Sequence, residues 1–154
     1  MPVGPIDLQT SSFRLHRGGE VHVERRTAGS GRDGWRLAAF HAKTDADVGA
    51  DHWEVHPEAE TVVSCLIGKM RLYLRPERPG RPEEEIGLTA GTAVVVPRGR
   101  WHRIELDTPS SILTVTWPQG GRRERRTGLR EGPRSPSPPA AGPETTRTPK
   151  AGAR

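Results

Sequence analysis

The most constraining feature of this chain is how its apolar residues are dealt out. Between Glu20 and Trp117 they fall in short runs and never in a long one. The runs are Glu20–Arg26, Gly34–Ala42, Asp51–His56, Thr61–Ile67, Lys69–Arg75, Thr92–Val96, Trp101–Leu106 and Ser111–Trp117. Clusters of Gly, Pro, Asp and Glu separate them, drawn from a chain that holds 18 Gly and 15 Pro in 154 residues. Lys69–Arg75 alternates cleanly, with Met70, Leu72 and Leu74 on one face, whereas Thr61–Ile67 is a near-continuous β-branched run. Many short strands at regular spacing predict an all-β sandwich or barrel. No window carries sustained helical periodicity with caps, which leaves room for one short helix near the N-terminus. The stretch Pro76–Glu85 is too charged and proline-rich for a strand and reads as an exposed hairpin loop.

Charge divides the chain more sharply than hydropathy does. The formal net charge is +5, yet the segment from Pro118 to Arg154 alone carries nine Lys or Arg and three Glu. The body before it is nearly neutral and has no electrostatic footprint for nucleic acid. The segment has no aromatic residue and one Leu, so it cannot offset its ordering entropy by burial. The expected organisation is an N-terminal segment 1–19, a β domain 20–117 and a disordered basic tail 118–154. A chain ended near Gly120 should therefore keep its melting temperature. Arg122, Arg123, Arg125 and Arg126 could touch phosphates weakly, but base stacking needs aromatic platforms that the tail lacks.

Other classes are excluded by what is missing. No run approaches the roughly 18 apolar residues of a membrane span. The N-terminus has no apolar core of a signal peptide, so a cytoplasmic, membrane-free protein is expected. The single cysteine, Cys65, rules out an internal disulfide and a Cys-rich zinc site. It lies in an apolar strand and reads as a small core hydrophobe.

Two segments carry chemistry. In Asp51–His56, period-two alternation puts His52, Glu54 and His56 on one face. If that face is solvent, nothing follows; if it is the inside of a barrel, the groups need partners or a metal. The second segment runs from Gly91 through Pro97 and Gly99 to His102. It reads as a strand, a tight Pro-x-Gly turn and a second strand. His102 shares a face with Ile104 and Leu106, which marks that face as core.

These two segments resemble the two motifs of the cupin superfamily, small β-barrels of the jelly-roll type. Gly91, Pro97, Gly99 and His102 match the second motif, with Leu106 where the family has an asparagine. In the first motif His56 and Gly68 match, Glu54 stands in place of a histidine, and Thr61 stands in place of the glutamate, with Glu60 beside it. The resemblance implies a cupin-like jelly roll in which His56 and His102 point inward and hold a divalent metal. Glu54 completes a two-histidine, one-carboxylate set, and Glu60 joins it if a bulge turns that residue in. Such a set suits Fe, Mn, Ni or Zn. His52 is a rim residue. Trp53 and Trp101 pack outside the barrel, and Arg71, Tyr73 and Arg75 are solvated or at a dimer contact; the charge-balanced body allows a homodimer. Two readings stay open. One is a metal-dependent enzyme acting on a small organic substrate; the other is a non-catalytic small-molecule binding or sensor module.

Overall fold

The computed structural model describes residues 3–27 and 33–127. The strands are β1 (Ser11–Leu15), β2 (Val21–Arg25), β3 (Trp35–Ala42), β4 (His52–Val55), β5 (Thr61–Ile67), β6 (Lys69–Leu74), β7 (Glu84–Thr89), β8 (Thr92–Val96), β9 (His102–Leu106), β10 (Ser110–Thr116) and β11 (Arg122–Arg125). Among the described residues the only helical element is a single 3-10 turn at Asp45–Val48, closed by Asp47 against Lys43 and Thr44. The strands form two antiparallel sheets, one in the order β2-β1-β3-β10-β5-β8 and the other β11-β4-β9-β6-β7. The expected all-β jelly roll is thus what the chain adopts.

The core is the space between the sheets. Met70, Leu72 and Leu74 of β6 lie opposite Leu106, Ile104 and His102 of β9, so the two strands present one continuous inward face. From the other sheet, Ala42, Val63, Cys65, Val96 and Ile112 meet them. Cys65 is fully buried, as its apolar strand predicted. The far face of the second sheet is covered by the chain itself. Arg103 lies over Tyr73 at 3.9 Å and over Trp53 at 5.2 Å, while Arg75 and Arg122 reach Trp101 at 5.4 and 5.6 Å. Tyr73 is therefore buried under its own neighbours rather than solvated.

Three strands were not read from the sequence. β1 lies in the segment assigned to 1–19, so the domain begins at Ser11 rather than Glu20. β7 follows the proline-rich loop and pairs residue by residue with β6. β11 lies inside the segment expected to be tail: Arg122–Arg125 pairs with Val55–His52 of β4. Its side chains bury little, and that is why hydropathy missed it. It is held by ladder hydrogen bonds and by ion pairs of Glu124 with Arg75 (3.0 Å) and Arg126 with Glu105 (3.6 Å). The disorder expected of 118–154 thus fails for 122–125, and residues 128–154 lie outside those described. A chain ending at Gly120 is expected to melt about 4–8 °C below one ending at Thr127, the equivalent of roughly 1 kcal/mol in a domain of this size. Equal thermal midpoints in a calorimetric comparison would show that β11 contributes nothing.

Candidate functional site

The inward face changes character along its length. Toward Cys65 and Met70 it is wholly apolar; toward the other end each strand presents a polar group. The result is a cavity of about 360 Å³ lined by Glu54 and His56 from β4 and its continuation, Thr61 from β5 and His102 from β9. Arg36 from β3, Thr114 and Thr116 from β10 and Arg123 from β11 complete its polar wall. Ala38, Phe40, Val63 and Ile104 form its apolar wall.

Period two explains each placement. Glu54 is inward because Trp53 and Val55 point to the far face, where both are buried. Arg123 is inward because it is the direct cross-strand partner of Glu54. Thr61 is inward and 2% exposed, in register with Val96. Register runs unbroken from Thr61 to Cys65, and the irregularity in β5 comes later, opposite Ser111 and Ile112. No bulge therefore turns Glu60 in. It is exposed and does not line the cavity, which removes it from the expected ligand set. His52 does not line the cavity and pairs with Asp51 at 2.8 Å.

His56 and His102 are both buried, at 6% and 4% exposure. The His56 carbonyl accepts from Gly99 N at 3.0 Å, which ties the end of β4 to the Pro-x-Gly turn before His102. The turn from Pro118 to Gly121 closes over the His56 ring, so near that a Cβ on Gly121 would lie 3.2 Å from Nδ1. His56 Nε2 stands 3.5 Å from Glu54 Oε1, yet neither ring nitrogen completes a hydrogen bond among the described residues. His102 Nδ1 lies 3.3 Å from the Arg100 carbonyl. A carbonyl only accepts, so that nitrogen carries the proton and Nε2 is left as an acceptor.

Burial pushes the Glu54 carboxyl up, but His56, then His102 and Arg123, outweigh it and hold the group below its ordinary value. Burial lowers His102, against the raising influence of Glu54. Burial and the nearby Arg14 charge likewise lower Arg36.

The donor types suit a divalent metal, but their spacing does not. Imidazole nitrogens bind at about 2.0–2.1 Å, which puts two ring centres on one ion about 4.5–5.2 Å apart when they are cis on an octahedron or on a tetrahedron. The His56 and His102 centres are 6.1 Å apart. Among the described residues no three His, Cys, Asp or Glu side chains stand close enough to share an ion. The position where the resembling family has a carboxylate holds the Thr61 hydroxyl. The structure thus brings Glu54, His56 and His102 into one cavity without bringing them to one point.

Sequence reasoning missed the cavity's arginines. Arg36 had a signal, being a charged residue on the Arg36–Ala38–Phe40 face of an otherwise apolar run. Arg123 had none, because its strand was hidden in basic, turn-rich sequence.

No family model matches the sequence, and neither does any curated protein. Among solved structures the chain is similar to a cupin-2 domain protein from Shewanella frigidimarina, at 17% identity and a TM-score of 0.40 over 60% of this chain and 71% of that one. It is also similar to an oxalate oxidase, at 18% identity and a TM-score of 0.43 over 57% of this chain and 44% of that one. A third is the oxalate decarboxylase of Bacillus subtilis with Mn(II) centres, at 17% identity and a TM-score of 0.44 over 59% of this chain and 23% of that one. The chain spans less than half the length of either enzyme. At these identities and scores the likeness says nothing of ligand or chemistry. No helix among the described residues is long and apolar enough to cross a membrane.

Proposed function

We propose that this cupin-like jelly roll is a small-molecule binding module whose cavity holds its ligand by side chains rather than through a bound metal. One observation carries the reading. The cavity gathers Glu54, His56, His102, Thr61 and Thr114 around a volume of about 360 Å³, but its two imidazole rings stand 6.1 Å apart, with a hydroxyl where a carboxylate ligand would be needed. Volumes of about 300–1,000 Å³ with an apolar lining and a few convergent polar groups are typical of ligand sites. The buried His56 ring nitrogens supply unused hydrogen-bonding capacity, which a ligand would satisfy.

The test is metal content together with a designed gain. Purified native chain is expected to carry substoichiometric Fe, Mn, Ni and Zn and to show weak Zn binding in titration. Thr61→Glu puts a carboxylate at the inward position and is expected to tighten Zn binding at least tenfold, while Glu60→Gln changes nothing. Stoichiometric metal in the native protein, lost with His56→Ala, would overturn the reading in favour of a metal-dependent enzyme.

A further inference from the structure

Among the described residues Arg71, Arg75, Arg100, Arg103 and Arg126 each hold a glutamate or aspartate away from the cavity. The three arginines that line the cavity do not. Arg26 lies over the Phe40 ring at 4.4 Å. Arg36 donates through Nε to Ser12 Oγ at 3.1 Å and through its terminal nitrogen to the Arg26 carbonyl. Arg123 packs its guanidinium on Gly49, where a side chain would collide with it. Among the described residues no carboxylate lies within 4.0 Å of these three guanidinium groups, although Glu54 shares the cavity with them.

Arg26 and Arg36 are half-buried and Arg123 is exposed, and three guanidinium groups around one cavity form a standing attraction for an anion. The guanidinium fork matches the two oxygens of a carboxylate. Phe40, Val63 and Ile104 also line the cavity and offer apolar contact that an inorganic anion would leave unused. Glu54 repels a second negative group, which favours one charge over two.

We propose that the ligand of this cavity is a small organic monocarboxylate, its carboxylate held by Arg36 and Arg123 and its apolar body lying against Phe40, Val63 and Ile104. The proposal rests on the reading of the cavity as a ligand site and names the ligand's class. It also assigns a role to the basic stretch after Trp117. Strand alternation sends Arg122 outward onto Trp101 and Arg123 inward beside Glu54. One arginine of the supposed tail is therefore a binding residue.

The experiment uses the full chain, treated with chelator, and a panel of monocarboxylates from acetate to benzoate. Each acid is titrated beside its own amide, with inorganic phosphate in parallel, and binding is followed by calorimetry and by amide chemical shifts around Thr61 and His102. The best acid is expected to bind at least tenfold more tightly than its amide. Arg123→Gln and Arg36→Gln are expected to remove that preference while leaving the amide's affinity unchanged. Arg122→Gln, on the outer face, is expected to keep it. Should Arg36→Gln fail to fold, Arg123→Gln alone decides, since the Arg123 side chain makes no hydrogen bond among the described residues. Equal binding of acid and amide, or a preference that survives both substitutions, overturns the proposal and leaves the ligand site standing. Phosphate binding more tightly than every acid also overturns it. Absence of any shift at Thr61 and His102 with acid and amide alike overturns both the proposal and the reading beneath it.

Discussion

Replacing Arg14 by alanine is expected to cost about 3–5 kcal/mol of folding stability, the usual penalty for breaking a buried ion pair from one side. Arg14 and Glu24 are 1% and 8% exposed. They meet as a fork, Nε to Oε1 at 3.3 Å and a terminal nitrogen to Oε2 at 2.8 Å, and Arg14 also reaches the Gly34 carbonyl at 3.4 Å. The attraction itself is largely offset by the desolvation of both ions. The loss comes from stripping the guanidinium fork from a carboxylate that is only 8% exposed. The double replacement Arg14→Met with Glu24→Leu should therefore recover most of the stability. Urea titrations of the single and double variants would check this. A loss below about 1 kcal/mol for Arg14→Ala would show the pair to be effectively solvated.

Gly68→Ala is expected to cost about 2–5 kcal/mol, combining the strain of left-handed backbone with forced overlap. Gly68 joins β5 to β6, where the chain crosses from one sheet to the other, and its φ is +99°. A Cβ there would lie 2.6 Å from the Pro109 carbonyl oxygen and 2.9 Å from Ser110 Cα. Both are backbone atoms, and Ser110 is itself fixed by hydrogen bonds to Lys69, so nothing nearby can yield. Gly80 is a built-in control. Its φ is +80°, but a Cβ there would meet open space. Gly80→Ala should thus show the backbone strain alone, about 1–2 kcal/mol. Equal losses at the two positions in thermal unfolding would mean that the overlap at Gly68 relaxes freely.

Much of the site was legible because it lies on regular strands. Alternation put Glu54 and His56 on one face, the resemblance implied that this face is inward, the apolar neighbours of His102 marked its face as core, and all three residues line one cavity. Glu60 and Thr61 were harder: one residue of register exchanges inside for outside. A regular start to β5 and a bulge at that point read identically in sequence. The unbroken pairing of Thr61–Cys65 with β8 excludes Glu60 from the cavity. Arg123 was out of reach altogether, since a strand that buries no apolar side chain leaves no hydrophobic period to read.

What the sequence determined by itself was the class of structure and which side chains of its motif strands share a face. The period of a strand and the chemistry of a turn are local, so short alternating runs with Gly and Pro between them can specify little else. What only tertiary structure decided was distance and company. Whether two inward histidines meet closely enough to share an ion depends on the separation of strands that are remote in sequence. Whether an arginine finds a carboxylate or an empty cavity depends on which strand pairs beside it. Those quantities are set by the packing of the two sheets, where every strand contributes to the position of every other.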